Sequence, residues 1–218
     1  MVSVFRFLGL TTDLGWDKLT AMGNPDVTTP ALAAWNRLCT AARELVPGLE
    51  VESRWKSVFC YQHREARESV IRPTDPHRVV FVARGFVRFY TLSEDGSELN
   101  QYFGVAGDFV QAFLAEQQGI PYGAEALEPS ELLVSDTVEW ERLRESPAGA
   151  LLLEVQSRML EHKARHSQIL QHRETRQRIE VLRAWKPEWW VRAPQYHLAN
   201  YLGVSEVTLS RALARNRS

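Results

Sequence analysis

Apolar residues along this chain follow two periods, and the changes of period divide it. Residues 1–29 hold Gly, Pro, Thr and Asp with no sustained period and are expected to form an N-terminal arm. Residues 30–45 place Leu32, Trp35, Leu38, Cys39 and Ala42 on one stripe, with Pro47-Gly48 beyond, which predicts an amphipathic helix with a sharp stop. From residue 51 to residue 134 short β-branched and aromatic runs take over. Val79 to Val82 and Phe86 to Tyr90 read as strands with Arg84-Gly85 between them. Ser93-Glu94-Asp95-Gly96 is a hairpin turn, and Leu99 to Phe103 returns as a strand. Many short strands at this spacing predict a β-sandwich or roll. Past Pro147 the helical period resumes. Leu152, Val155, Met159, His162, His166 and Ile169 alternate at steps of three and four, an a/d-type seam. Such a seam serves either a coiled-coil partner or the chain's own core.

The last residues combine several local signals. Leu198, Leu202, Val204, Leu209 and Leu213 are spaced as the facing sides of two short helices. Ala199 is small where the helices approach, and Gly203 suits a turn at positive φ. Ser205 is a capping residue, with Glu206 in the first turn of the helix it opens. Thr208, Ser210, Arg211 and Arg215 are then left facing outward. The pattern is that of a DNA-binding helix-turn-helix, whose second helix enters the major groove. The plain alternative is a helical hairpin that only packs. Upstream, residues 174–185 read as a further helix with Ile179, Leu182 and Trp185 inward, and the nearby tryptophans as its core.

Leu202-Gly203-Val204-Ser205 followed by Thr208-Leu209-Ser210-Arg211 resembles the recognition segment of the Crp/Fnr family of bacterial transcription regulators. The resemblance extends to residues 81–90, to Gly107-Asp108-Phe109-Val110, and to Ala126-Leu127-Glu128 with Glu131-Leu132-Leu133-Val134. It implies an α+β fold in a fixed order. A cyclic-nucleotide-binding-like β-roll would span residues 30–146 and a dimerisation helix residues 147–173. A winged-helix-like helix-turn-helix domain would span residues 174–218. Few residues follow the second helix, so a wing has to come from before Gln195 or be absent. The resemblance also implies a homodimer joined at Leu152, Val155, Met159, His162, His166 and Ile169. Its DNA contacts would be Gln195, Ser205, Glu206, Thr208, Ser210, Arg211, Arg215 and Arg217. RNA polymerase and an unidentified small-molecule effector are further partners that it suggests.

The phosphate-binding cassette departs from the family pattern. Cyclic-nucleotide binders use Gly-Glu, then an arginine before a small hydroxyl residue, to neutralise the phosphate and take the ribose hydroxyl. Asp108 offers a shorter carboxylate for the ribose. Where the arginine is expected, Gly119-Ile120-Pro121-Tyr122-Gly123-Ala124-Glu125 holds no cation and an added carboxylate. A buried phosphate without a paired cation is costly, so cyclic AMP is not the expected ligand. Gly107, Asp108, Phe109, Phe113, Tyr122 and Gly123 are the candidate ligand positions. They serve either a less anionic ligand or a filled core.

Charge sharpens the picture. The chain has a net charge of −1, yet from Arg173 to Ser218 nine Arg/Lys face four Asp/Glu. A basic end on an otherwise acidic protein suits phosphate contact there. Two cysteines, Cys39 and Cys60, are too few for a four-thiolate iron–sulfur cluster. His162 and His166 stand one helical turn apart, a spacing that suits a metal, a pH-sensitive interface, or neutral hydrogen-bonded histidines. No metal or cofactor is expected, and His63, His77, His172 and His197 show no ligand spacing. With no phosphate loop, nucleophile elbow or zinc-protease motif, an enzyme is not expected. With no secretion signal or membrane-length apolar run, the expected location is the cytoplasm. Two functions follow: a sequence-specific DNA-binding regulator, or a sensing or protein-interaction module whose helix-turn-helix no longer reads DNA.

Overall fold

Alternation within the strands builds the β-roll half of the molecule. The structure, a computed structural model, describes residues 14–15, 25–51, 53–75, 78–111, 119–136, 138–139, 142 and 146–214. Phe113, Arg215 and Arg217 lie outside the described residues, as does most of the N-terminal arm. Strands β1 (Leu14–Gly15), β2 (Cys60–Arg64), β9 (Ser130–Asp136), β4 (Arg78–Arg84) and β7 (Phe109–Gln111) form one sheet in that spatial order. The second sheet runs β3 (Ser69–Ile71), β8 (Tyr122–Ala126), β5 (Phe86–Leu92) and β6 (Glu98–Val105). All pairs are antiparallel. Successive side chains of a strand point to opposite faces, and β4 uses both. Val79, Phe81 and Ala83 join one apolar cluster, while Val80 and Val82 join the other.

The first cluster lies under helix α1 (Pro25–Leu45), which supplies Ala31, Ala34, Trp35, Leu38 and Ala42. This helix starts five residues before the expected position, so Pro30 lies inside it. The apolar stripe is also rotated: Ala31 and Ala34 are buried, whereas Leu32 is 44% exposed. The long helix α2 (Ala148–Gln171) adds Leu151, Leu152 and Val155 to the same cluster.

The second cluster runs from the roll into the C-terminal helices without a break. It contains Val87 and Phe103 of the sheets together with Ile169, Ile179, Leu182, Trp189, Tyr201 and Leu209. These last residues belong to α2, α3 (Thr175–Trp185), α4 (Pro187–Arg192), α5 (Gln195–Tyr201) and α6 (Glu206–Ala214). Among the described residues from 174 onward no strand occurs, and α4 stands where a wing would precede α5. Gly85, between β4 and β5, has φ +103°, and a Cβ there would lie 2.2 Å from Ser130 Oγ. No other residue fits that connection. Among the described residues no helix is long and apolar enough to cross a membrane.

Candidate nucleic-acid interface

The helix-turn-helix forms from short-range contacts. Leu202 N–H donates to Leu198 O at 2.9 Å and Val204 N–H to Ala199 O at 3.0 Å, closing α5. Gly203, at φ +65°, turns the chain. Ser205 then caps α6: its Oγ accepts from Thr208 N–H at 3.1 Å and lies 2.8 Å from the Thr208 hydroxyl. Inside the angle, Leu198, Ala199, Leu202 and Leu209 are buried to 2% exposure or less. Outside it, Ser205, Glu206, Thr208, Ser210 and Arg211 are all exposed, and Val207 is 58% exposed. Gln195 is half-buried at the start of α5. The candidate contact residues from Ser205 to Arg211 thus share one open surface on α6. Arg178, which the sequence did not single out, braces the turn. Its guanidinium donates to Leu202 O and to His172 O, both at 2.8 Å.

The unit is seated on the roll by aromatic and polar contacts. Trp189 is 1% exposed, and its ring centroid lies 5.5 Å from Tyr102, 5.0 Å from Phe103 and 5.2 Å from Tyr201. Arg192 donates to Gly85 O at 2.7 Å and to Glu128 Oε1 at 2.6 Å, and also pairs with Glu188. Strand β6 is the edge of its sheet. An edge leaves backbone groups unpaired, and the Asn200 amide takes two of them. Its Oδ1 accepts from Asn100 N–H at 2.7 Å, and its Nδ2 donates to Glu98 O at 2.8 Å. Asn100 Nδ2 donates to His197 O at 3.0 Å.

No family model matches the sequence, and no curated protein matches it. Solved structures do. A protein from Eubacterium rectale assigned to the Crp/Fnr transcriptional regulators superposes with a TM-score of 0.61 at 16% identity, over 84% of this chain and 85% of that one. FixK2 from Bradyrhizobium japonicum gives 0.57 at 22% identity, over 73% and 85% of the two chains. A CooA variant from Carboxydothermus hydrogenoformans gives 0.57 at 19% identity, over 79% and 84%. The chain has the Crp/Fnr fold.

Within the Crp/Fnr fold the long helix turns its expected seam inward. Leu152, Val155, His162, His166 and Ile169 are buried within the single chain, Leu152 and Val155 in the first cluster and Ile169 in the second, against which Met159 packs. The two histidines hold the helix-turn-helix. His166 Nε2–H donates to Tyr201 O at 2.8 Å, with its ring stacked 3.9 Å from the Tyr201 ring. His162 Nε2 lies 3.1 Å from the Tyr201 hydroxyl. Burial lowers the His162 pKa to about 3 and that of His166 to about 4, so both are neutral at physiological pH. Among the described residues no group of three His, Cys, Asp or Glu is placed to hold a metal ion. The sequence could not separate these uses, because an inward and an outward seam share one period.

The candidate ligand positions separate as well. Asp108 Oδ2 accepts from the Tyr102 hydroxyl at 2.9 Å and from Val105 N–H at 3.0 Å, so its carboxylate ties the turn between β6 and β7. Tyr122 is 5% exposed; its hydroxyl accepts from Arg78 N–H at 2.6 Å and donates to Arg78 O at 2.9 Å. Gly123 leaves room for Tyr90, whose ring would lie 2.5 Å from a Cβ at that position. Gly107, Asp108 and Phe109 line a cavity that Tyr122 and Gly123 do not. Arg88 stands across from Glu125, but it is committed. It pairs with Glu125 and with Glu98, each at 2.7 Å, and donates to Asn100 Oδ1 at 3.3 Å.

Proposed function

We propose that this chain is a dimeric, sequence-specific DNA-binding transcription regulator. One observation carries the reading. In a Crp/Fnr fold, the second helix of a capped helix-turn-helix leaves Glu206, Val207, Thr208, Ser210 and Arg211 exposed together. The surplus of nine basic over four acidic residues from Arg173 onward supports it, since phosphate contact needs such a surplus. Arg211 reads a base with its two-pronged guanidinium. Arg215 and Arg217, outside the described residues, hold phosphates. Val207 offers a methyl-sized apolar contact to thymine.

Arg211→Ala is expected to cost about 1–3 kcal/mol of DNA affinity and to relax the preferred sequence. Arg215→Ala is expected to weaken all sequences alike and to lower the salt slope by about one. Selection from random duplexes with wild type and both variants measures this. A wild-type chain that enriches no sequence favours instead a module whose helix-turn-helix no longer reads DNA. An Arg211→Ala chain that keeps the wild-type consensus removes Arg211 from base reading.

The dimer face is the outward side of α2. Ala150, Leu153, Ser157, Leu160, Ala164 and Ser167 are exposed at steps of three and four. Leu153 and Leu160 are 62% and 44% exposed, an arrangement suited to a parallel two-helix seam. The Leu153→Asp, Leu160→Asp double variant is expected to sediment as a monomer and to bind DNA more weakly. A double variant that stays dimeric excludes this face.

The roll is not built for a cyclic nucleotide. Arg88, which faces Glu125 of β8, is held by two carboxylates, and Asp108 is held by Tyr102 and Val105. Calorimetric titration with cyclic AMP is expected to show no micromolar binding, and a micromolar constant would overturn this.

A further inference from the structure

An irregularity in the pairing of β6 aims two neighbouring side chains at two different helices. Leu99 stands opposite Thr91 and Asn100 opposite Tyr90, but Phe89 stands opposite Tyr102. Gln101 is therefore the extra residue of a β-bulge. A bulge bends its strand and redirects the side chains around it. Gln101 turns to the long helix: its Oε1 accepts from Lys163 Nζ at 2.6 Å, while its Nε2 donates to the Thr91 hydroxyl at 3.1 Å. Asn100 turns to α5, where its Nδ2 donates to His197 O at 3.0 Å.

Asn100 is 3% exposed, and both ends of its amide are engaged. Its Oδ1 accepts from Arg88 at 3.3 Å, opposite the bond from Nδ2 to His197 O. Its backbone N–H donates to Asn200 Oδ1 at 2.7 Å, and Asn200 Nδ2 donates to Glu98 O at 2.8 Å. Asn200 thus takes the two edge groups on either side of Leu99, where a further strand would bond. Arg88 also pairs with the Glu98 carboxylate at 2.7 Å. The two residues whose backbone Asn200 grips are therefore themselves tied to β5. A buried amide with both ends engaged admits one arrangement of its partners, because a shift leaves a polar group unpaired in the interior. Trp189, the apolar part of the seat, has no such selectivity.

The bulge is thus a common reference for two helices. The long helix carries the dimer face, and α5 leads through the turn at Gly203 into α6. In a two-fold dimer the recognition helices have to enter major grooves about 34–36 Å apart. That distance depends on how each α6 is set against its own α2. We propose that the bulged edge Asn100–Gln101, gripped by Asn200 from α5 and by Lys163 from α2, positions the helix-turn-helix against the long helix and so determines the half-site spacing that the chain accepts. None of the four residues belongs to the exposed surface of α6; they are positioning residues. The spacing rests on the DNA-binding reading, whereas the positioning does not.

Positioning is measured on the full chain without DNA. Ala66, in the turn between β2 and β3, and Ala214, at the end of α6, are exposed and take spin labels once replaced by cysteine. Cys60→Ala is the background, Cys39 being buried. Diluting labelled with unlabelled chain confines the measured distance to one protomer. One narrow distance is expected with the intact edge, and Asn200→Ala and Gln101→Ala are expected to broaden it or add a second. Spacing is read by selection from random duplexes. Both variants are expected to keep the half-site sequence and to lose preference for the wild-type spacing by about fivefold or more. A contact that only stabilises would lower the melting midpoint and move neither readout; circular dichroism and thermal melting confirm that each variant is folded. Folded variants with the wild-type distance distribution overturn the proposal, whatever they do on DNA. Variants that broaden the distance yet keep the wild-type spacing overturn its claim on spacing. A wild-type chain that enriches no duplex refutes the DNA-binding reading instead, and the distance measurement still decides the positioning.

Discussion

Trp189→Ala is expected to cost about 3–5 kcal/mol of stability. Trp189 is a large side chain at 1% exposure, and four parts of the chain converge on it. Tyr102 and Phe103 reach it from β6, His162 from α2, Trp185 from α3 and Tyr201 from α5. Alanine leaves a cavity that these rings cannot close together, because each is fixed by its own element. The loss falls on the contact between the roll and the helix-turn-helix. Chemical denaturation should therefore show a lower midpoint, and hydrogen exchange should show early opening of α4 to α6. Trp190→Ala supplies the comparison: Trp190 is half-buried, with Arg183 4.7 Å over its ring, and should cost much less. Equal effects of the two substitutions would remove Trp189 from its place as the plug.

The polar contacts around this plug give it direction. Trp189 alone would let the helices slide, since apolar burial is not directional. Arg192 fixes one end through Gly85 O and Glu128, and Asn200 fixes the other on the edge of β6. The exposed surface of α6 is left clear of both anchors. The α6 residues proposed to face DNA are therefore exposed while the helix-turn-helix is docked on the roll. A signal that acts on them has to shift the seat rather than uncover the helix.

Local features of the fold were legible in the sequence, and distant ones were not. The strands showed in the β-branched and aromatic runs Val79 to Val82 and Phe86 to Tyr90. The helix-turn-helix showed because Gly203, Ser205 and the leucines act within one or two turns. The long helix was legible in extent but not in orientation. Leu152, Val155, Met159, His162, His166 and Ile169 form one stripe at steps of three and four. Ala150, Leu153, Ser157, Leu160, Ala164 and Ser167 form another, equally regular. Periodicity cannot say which of two such stripes faces the core. Arg192 with Glu128, and Asn100 with Asn200, are contacts across 64 and 100 residues that no local pattern announces. Tyr122 read either as a pocket lining or as a filler of the core, because an aromatic beside a cassette suits both. Its hydroxyl pairs with the backbone of Arg78, a contact across 44 residues that local pattern does not announce.

Stability is expected to fall steeply as pH drops from about 6.5 toward 4. Three histidines at the seat of the helix-turn-helix cause it. Burial lowers the pKa of His162 to about 3 and those of His166 and His197 to about 4. In the unfolded chain a histidine takes up its proton near pH 6.5. Between those values the unfolded state binds protons that the folded state refuses, so stability rises with pH in this window. The full contribution is present above pH 6.5. For each histidine fully protonated in one state only, the slope is about 1.4 kcal/mol per pH unit. Asp108 acts in the opposite sense, because burial raises its pKa and favours the folded state as it protonates. A domain stable by about 5–15 kcal/mol has little margin against three such groups. Denaturant melts at pH 7.5, 6 and 5 measure the slope. His166→Gln keeps an N–H donor for Tyr201 O and removes one titration, so its profile should be flatter than wild type. A wild-type midpoint unchanged between pH 7.5 and 5 would show that these histidines are not held neutral in the folded chain.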